Sequence, residues 1–239
     1  MCFHYSLTRE RTDIEIQLGV HFEEDWSPVF HANGFSFIKM PVITQQDPGK
    51  IQLFNWGLIP HWAMTRADAD KLRAQTINAR SETVFEKPSF RSSITNNRCL
   101  VIADGFYEWM DFQKKKYPHF IYLNDEKLFC IAGVYSNWTD KETGEHLNTF
   151  SILTTAANPM MARIHNSKER MPVIIPPHSY RKWLAVGLNK NEVSSFFDSY
   201  PEKEMAAYTI GKLISSRSLD SNVPEIKEPL NYPELVLAE

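Results

Sequence analysis

The sequence predicts an α+β fold in a single domain. Segments rich in β-branched and aromatic residues follow one another between residues 98 and 175, and turn residues separate several of them, which favours antiparallel pairing. Helical patterns lie before and after that region and do not alternate with the strands, which argues against a parallel sheet. The 239 residues are 43% hydrophobic and 23% charged, which is the composition of an ordinary globular domain.

A first helix is predicted over residues 12–18. Thr12 can cap it, and Asp13 and Glu15 place negative charge in the first turn, where the helix dipole favours it. The pattern that follows predicts two strands, separated by the turn sequence QQDPGK, and two helices, the second with a proline in its first turn. These four elements are expected, in chain order, over residues 35–44, 51–60, 61–75 and 88–95.

Six strands are then predicted in succession, because their residues are largely β-branched or aromatic. They are expected over residues 98–103, 106–110, 119–123, 128–138, 149–155 and 171–176, with a helical turn over residues 158–164 before the last strand. Two helices are expected after them, over residues 178–186 and 191–200.

The carboxyl-terminal residues differ in composition from the rest of the chain. Residues 220–239 contain proline, and they carry five acidic residues against one lysine. We therefore predict one domain over residues 1–219, and an acidic tail over residues 220–239 that lies along its surface.

Composition narrows the class of protein. No run approaches the roughly eighteen apolar residues that a membrane helix needs, and the first residues lack the pattern of a secretory signal. Three cysteines are too few for a disulfide framework. A metal site at Cys2 and His4 is not indicated, because the sequence has no second pair of candidate ligands close to them. The net charge of -3 argues against a broadly basic coat for nucleic acid. We expect a soluble, cytoplasmic monomer without metal or cofactor.

Cys2 occupies a position that needs an explanation. Cys99 and Cys130 lie in apolar strand segments and are expected to be buried, whereas Cys2 directly follows Met1. Removal of Met1 would leave an α-amine, with a pKa of about 8, beside a thiol with a pKa of about 8.5. Such a 1,2-aminothiol can condense with an aldehyde to an imine and then close to a thiazolidine. The alternative is that Cys2 is simply a small residue after the methionine.

Two titratable residues are candidates for proton transfer. Glu108 shares one face of a largely apolar strand with Phe106 and Met110, so burial is expected to raise its pKa towards the range of a general acid or base. His165 lies in a connection between predicted elements, and histidine is the usual proton shuttle near neutral pH. The alternatives are an edge carboxylate and an ordinary loop histidine.

The segment TINARSETVF is a candidate for substrate binding. It places Asn78 and Arg80 two residues apart, on one face if the segment is extended. An arginine with an asparagine suits a phosphate together with a polar substrate oxygen. The alternative is a loop with a helix cap at Ser81.

Several motifs together resemble the SRAP (SOS response-associated peptidase) family. They are the initial MC, NWGLIPHWA, INARSETV, RCLVIADGFYEW, and IH followed by RMPVII, and they extend from Cys2 to about Ile175 in the order found in the family. The resemblance implies a single α+β domain with a mainly antiparallel, bifurcated sheet that curls into a small barrel and is flanked by helices.

The resemblance also implies a function. The family senses abasic sites in single-stranded DNA and forms a covalent DNA–protein cross-link through its amino-terminal cysteine. Carried over to this sequence, Cys2 would be the nucleophile and Asn78 would hold the substrate or the cysteine by hydrogen bonds. Glu108 and His165 would move protons during sugar opening, imine formation and reversal of the adduct.

The expected partner is therefore single-stranded DNA that contains an abasic site, with nucleoid association when the protein is bound to it. Arg80 would contact phosphate, and Thr154 matches a polar family position near the site. The residues expected to stack on bases or wedge between them are Pro41, Trp62 and Trp109.

Two positions next to the nucleophile differ from the family pattern. The family commonly begins Met-Cys-Gly-Arg, whereas this chain has Phe3 and His4, which removes a cation and adds an aromatic ring. Lys168 or Arg170 is the expected replacement for that cation at the DNA.

Three other activities remain open at this level. An imine that does not close to the thiazolidine permits β-elimination, which would make the protein a lyase. Cys2, Glu108 and His165 can also be arranged as a thiol peptidase that removes its own initiator methionine. A non-covalent single-strand binding module, in which Cys2 has no role, is the third.

Overall fold

Two largely antiparallel sheets form the frame of the protein. The computed structural model describes residues 2–125, 128–216 and 218–236; Met1 and residues 237–239, on which parts of the predictions about processing and the tail fall, lie outside these ranges. The strands are β1 (His4–Leu7), β2 (His21–Phe22), β3 (Val29–Asn33), β4 (Lys39–Thr44), β5 (Lys50–Trp56), β6 (Asn78–Arg80), β7 (Arg98–Ala103), β8 (Gly105–Phe112), β9 (Lys115–Leu123), β10 (Phe129–Thr139), β11 (His146–Ala156), β12 (Arg170–Pro172), β13 (Ile174–Ile175) and β14 (Met205–Thr209).

Short α-helices connect and flank these strands. They are α1 (Arg11–Leu18), α2 (Arg66–Arg73), α3 (Arg91–Asn96), α4 (Pro159–Ile164), α5 (Tyr180–Trp183), α6 (Lys190–Ser194) and α7 (Pro233–Val236). Among the described residues, no helix has the length and apolar character needed to cross a membrane.

Five of the strands close into a small barrel. In the order β11, β10, β7, β4 and β5 each strand pairs antiparallel with the next, and β5 returns to β11 through a parallel pairing in which Trp56 lies opposite Phe150. The interior is tightly filled: a Cβ on Gly133 would lie 2.7 Å from Sγ of Cys99. The α+β fold with a small barrel is therefore confirmed.

The second sheet branches from the barrel at Asp104. β7 belongs to the barrel, whereas β8 belongs to a five-stranded sheet in the order β14, β9, β8, β1 and β3. The Asp104 carboxylate stabilises the branch by accepting hydrogen bonds from Ser6 Oγ at 2.5 Å and Thr8 N at 2.6 Å. Gly105 is needed at the branch, because a Cβ there would lie 2.2 Å from Cζ of Phe120. The branch sets the position of β8, and with it that of Glu108.

Most predicted elements are found, with shifted ends. The helix predicted over residues 12–18 is α1, and the strand predicted over residues 98–103 is β7. The helix predicted over residues 61–75 is confined to α2, because Thr65 caps it by accepting a hydrogen bond from the Asp68 amide. β1, β3 and β14 were not predicted, since four or five residues show too little alternation to be recognised.

One buried side chain anchors the segment that was predicted to lie along the surface. Ile226 is only 2% exposed and lies in a cluster with Tyr107 and Phe120. Lys227 Nζ donates to Asp104 Oδ1 at 3.1 Å, which ties the segment to the branch point. A single apolar anchor in an acidic stretch produces no periodic pattern, so the sequence did not reveal this packing.

Candidate active site

Cys2 lies two residues before the start of β1 and is buried. Its side chain has no exposed surface, and Sγ lies 3.5 Å from the carbonyl oxygen of His4. Burial and the negative charge of Glu108 raise the pKa of the Cys2 thiol well above its ordinary value. Tyr5 lies opposite Phe106 in the antiparallel pairing of β1 with β8, so the segment before β1, with Cys2, runs towards the part of β8 that carries Glu108. The raised pKa makes the neutral thiol the resting form.

Glu108 projects from β8 into the interior. The residue is 4% exposed, and β9 places His119 directly opposite it in the ladder. Burial raises the pKa of Glu108 to about 8, because the charged form loses its hydration. The carboxyl group is therefore mostly protonated at neutral pH, and it is available as a proton donor.

His165 follows α4 and faces Glu108. Its Nδ1 lies 2.9 Å from the carbonyl oxygen of Arg170, so Nδ1 carries the proton and donates it, and Nε2 is the basic nitrogen. Burial lowers the pKa of His165 to about 4, which keeps the ring neutral. Nδ1 is 3.7 Å from Oε1 of Glu108. The site thus combines a neutral acid with a neutral base.

Asn78 presents an amide whose hydrogen-bonding capacity is unused. β6 places it beside Ile152 of β11, where it is 8% exposed. Neither Oδ1 nor Nδ2 of Asn78 has a hydrogen-bond partner within the described part of the chain. A buried amide without partners destabilises a protein by about 1–3 kcal/mol, so a group of this kind is suited to a bound substrate. Arg80, two residues further along β6, is exposed.

Arg170 and Thr154 lie next to β6. Thr154 is fully buried in β11, opposite Arg80 in the parallel ladder. Arg170 Nη2 donates to Thr154 O at 2.6 Å and to Glu82 Oε2 at 3.0 Å. A phosphate contact by Arg170 would therefore compete with Glu82. Sequence reasoning missed this carboxylate, although it lies within the INARSETV motif.

The three predicted stacking residues lie in different environments. Pro41 is buried in β4 opposite Leu53, so it offers no surface for stacking on a base. Trp62 is 42% exposed and donates from Nε1 to the Pro88 carbonyl at 3.2 Å. Trp109 is half-buried, and its ring meets His4 edge-on with centroids 4.9 Å apart. The roles of the two tryptophans in DNA binding stay predictions, whereas that of Pro41 does not fit its burial.

His4 forms an imidazole pair with His31. Nδ1 of His4 and Nε2 of His31 share a hydrogen bond of 2.8 Å. Burial lowers the pKa of His4 to about 3 and that of His31 to about 4, so both rings are neutral at neutral pH. His4 therefore adds no positive charge beside Cys2. The sequence could not reveal this pair, because it depends on the pairing of β1 with β3.

The arrangement suits covalent chemistry at a carbonyl group. It provides the Cys2 thiol, the protonated carboxyl of Glu108, the neutral imidazole of His165 and the buried Asn78 amide, which has no hydrogen-bond partner among the described residues. Over the described ranges, His, Cys, Asp and Glu side chains form no group of three or more that could hold a metal ion.

Comparison with known proteins gives the family. The profile of a family described as SOS response associated peptidase (SRAP) matches residues 1–217. The abasic site processing protein YoqW of Bacillus subtilis is 34% identical over 233 residues, which cover 95% of this chain and 99% of that protein. The abasic site processing protein HMCES of Xenopus tropicalis is 34% identical over 151 residues, which cover 55% of this chain and 44% of that protein.

Solved structures agree with this assignment. The crystal structure of a protein from Bacteroides thetaiotaomicron matches with a TM-score of 0.90 and 37% identity, and the match covers 96% of this chain and 100% of the other. A crystal structure of a Bordetella bronchiseptica protein shares the fold, with a TM-score of 0.76 at 24% identity. With motifs, fold and profile in agreement, the chain belongs to the SOS response associated peptidase (SRAP) family.

Proposed function

We propose that this protein captures abasic sites in single-stranded DNA, and that Cys2, after removal of Met1, forms a thiazolidine cross-link with the sugar. The relatives named abasic site processing proteins point to the substrate, whose open deoxyribose carries an aldehyde at C1′. The observation that carries the proposal is the antiparallel pairing of β1 with β8, which directs the segment of Cys2 towards the part of β8 that carries Glu108, a carboxyl whose pKa is raised to about 8.

The first bond would join the α-amine of Cys2 to C1′. The amine adds to the aldehyde, and one of its protons moves to the oxygen to give a carbinolamine. Protonated Glu108 then donates the proton with which the hydroxyl leaves as water, so an iminium ion and a Glu108 carboxylate remain. The carboxylate accepts the proton of the Cys2 thiol, and Sγ adds to the iminium carbon. The thiazolidine ring closes and Glu108 regains its acid form.

The cyclic sugar must open before this chemistry begins. Nε2 of neutral His165 is suited to accept the proton of the sugar C1′ hydroxyl, while Glu108 protonates the ring oxygen. The imidazolium would then return a proton to the Glu108 carboxylate, whose pKa is the higher of the two, so that both groups regain their resting forms before the amine adds. The Asn78 amide, which has no partner among the described residues, would bind a sugar oxygen, and exposed Arg80 would contact a neighbouring phosphate.

The imine has a second fate. If Sγ does not add, loss of a proton from C2′ leads to β-elimination and strand cleavage, which is a lyase reaction. The thiol therefore decides between a stable adduct and a cut strand. We expect the Cys2→Ser variant, which keeps the amine, to lose the heat-stable cross-link and to retain imine formation.

The test compares single-stranded oligonucleotides that differ in one abasic site. Wild-type protein should give a species that survives denaturing electrophoresis with the abasic oligonucleotide alone. Cys2→Ser should give that species only after borohydride reduction of the imine, and Cys99→Ser serves as the control for a thiol in the barrel core. Equal binding of both oligonucleotides without a covalent product would establish the non-covalent binding module instead.

Mass spectrometry of the intact chain checks the prerequisite. A mature amino terminus at Cys2 is expected, because Met1 would block the amine. Cross-linking by a protein that retains Met1 would contradict the thiazolidine.

A thiol peptidase fits the site less well. Such an enzyme needs a thiolate, which a nearby imidazolium or another cation stabilises. Here burial and Glu108 raise the pKa of Cys2, and His165 is neutral because its own pKa is lowered to about 4. These shifts favour reaction through the amine first, with the thiol following.

A further inference from the structure

Phe35 is an exposed aromatic residue in a rigid turn close to Cys2. It is 52% exposed, and its ring packs against Phe3 with centroids 4.9 Å apart and planes inclined by 42°. Phe3 follows Cys2 directly in the chain. The aromatic pair of Phe3 and Phe35 therefore presents apolar surface beside the proposed nucleophile.

The turn that carries Phe35 is held by local hydrogen bonds. It is a single 3-10 turn, Gly34–Ser36, in which Asn33 Oδ1 accepts from the Phe35 amide at 3.0 Å. Ser36 Oγ donates to the Asn33 carbonyl at 2.6 Å. These bonds fix the backbone of the turn at Phe35, whose ring packs on Phe3 and stays about half exposed.

The residue after the turn is locked as well. Phe37 has a φ of 54°, a left-handed conformation that costs a bulky residue energy. The guanidinium of Arg73 lies 4.0 Å from the centre of its ring, in a cation–π contact that holds it in place. The backbone on both sides of Phe35 is thus constrained, so a rigid turn carries this ring.

Gly34 attaches this turn to the active site. Its amide donates to the Phe3 carbonyl at 2.9 Å, next to Cys2. On the other side it packs against Ile77, the residue before Asn78: a Cβ on Gly34 would lie 2.6 Å from Cγ2 of Ile77. The turn therefore lies between the segment that carries Cys2 and the segment that carries Asn78.

We propose that the aromatic pair of Phe3 and Phe35 stacks on the nucleobase adjacent to the abasic nucleotide, and that it gives this protein a preference for a purine there. The inference rests on the proposed function and adds a context preference to it. An abasic nucleotide has no base to stack, so the next base in the strand is the group that an aromatic surface beside Cys2 would meet. Stacking tolerates every base but is stronger for the larger purine rings.

The experiment measures binding without covalent chemistry. Single-stranded oligonucleotides carry a tetrahydrofuran residue in place of the abasic sugar, which has no aldehyde and cannot cross-link. The neighbouring nucleotide, on the 5′ or the 3′ side, is adenine, cytosine or a second tetrahydrofuran. Dissociation constants by fluorescence anisotropy are compared for wild type, Phe35→Ala, Phe35→Trp, and Val186→Ala, a control at an exposed apolar residue.

Wild type should bind the adenine oligonucleotide about tenfold more tightly than the one that lacks a neighbouring base, with cytosine between them, on one side of the lesion. Phe35→Ala should bind all three alike, Phe35→Trp should restore the order, and Val186→Ala should match wild type. Circular dichroism should show Phe35→Ala folded, as expected for a half-exposed side chain.

Equal binding of the three oligonucleotides by wild type, or an unchanged order in Phe35→Ala, would overturn the stacking proposal. Cross-linking to a true abasic site is scored separately. Cross-linking without dependence on the neighbouring base would leave the proposed function intact and refute the stacking. Binding that depends on the neighbouring base, without any cross-link to a true abasic site, would support the stacking and refute the proposed function.

Discussion

Burial makes Glu108 a suitable acid and at the same time destabilises the folded protein at neutral pH. Its pKa is raised from an ordinary 4.5 to about 8. The unfolded chain ionises this group freely above pH 4.5, whereas the folded chain keeps the proton. The contribution of Glu108 to the free energy of unfolding is therefore most favourable below about pH 4.5, and it is lost as the pH rises through 8.

Glu108→Gln should consequently be more stable than wild type at pH 7, on the order of 3 kcal/mol, with the difference vanishing towards pH 4.5. Urea unfolding at pH 4.5, 7 and 9 measures it, and the comparison with wild type cancels the histidine contributions. Glu10→Gln, at an exposed residue, is the control and should show no such trend.

Glu108→Gln should also cross-link about a hundredfold or more slowly than wild type, since glutamine cannot donate the proton. A variant with wild-type stability at every pH would contradict the raised pKa.

Asn78 poses a related conflict between stability and function. Its buried amide lacks partners, so its replacement by an apolar side chain of similar size removes an unmet polar group. Asn78→Leu should therefore unfold at the same urea concentration as wild type or a higher one, while cross-linking falls about tenfold or more. Asn55→Leu, at a side chain that donates to the Asn148 carbonyl, is the control and should keep its cross-linking rate. A large loss of stability in Asn78→Leu would show that the amide has a structural role.

At the scale of elements, the junction between β7 and β8 determines where Glu108 lies. The chain leaves the barrel at Asp104 and crosses the Phe120 ring at Gly105, with no room for a side chain. Phe120 itself packs against Tyr107 and Tyr208, so it cannot easily move away. The position of the acid thus depends on a glycine three residues before it.

Gly105→Ala should destabilise the protein by about 1–3 kcal/mol, because a Cβ would lie 2.2 Å from Cζ of Phe120. It should also slow cross-linking through displacement of β8. Gly211→Ala is the matched control: a Cβ there meets no atom within 4 Å, and its φ is -65°. Thermal unfolding compares the two, and equal midpoints would argue that the sheet yields at the branch.

At the scale of the whole molecule, two residues of the carboxyl-terminal segment connect it to the rest of the domain. It crosses the sheet on the side of Tyr107, inserts Ile226 into a small core, and pairs Lys227 with Asp104 at the branch point. Damage to this segment should therefore affect the stability of the whole domain.

Ile226→Ala should reduce the free energy of unfolding by about 2–4 kcal/mol, as expected for a large aliphatic side chain that is 2% exposed. Leu230→Ala, in the same segment but 46% exposed, should change it by less than about 1 kcal/mol. Urea unfolding of both variants provides the measurement. Equal, small effects would support the predicted surface tail over residues 220–239.

The sequence by itself determined the α+β class, because strand and helix patterns are local and their order excludes an alternating fold. It also identified Cys2, Glu108, His165 and Asn78 as candidates, since the chemistry of those side chains and the family motifs can be read along the chain. The apolar neighbours of Glu108 in the strand predicted its burial, and Glu108 is buried in the structure.

Tertiary structure alone decided how these groups meet. Closure of the barrel by Trp56 and Phe150, the contact of Glu108 with His165, and the capture of Arg170 by Glu82 join residues far apart in the sequence. The burial of Pro41 and the exposure of Phe35 were equally hidden, because exposure depends on which other segments cover a residue. Local patterns specify elements, whereas the pKa values and the free surface of the site arise from packing between distant segments, which no local pattern encodes.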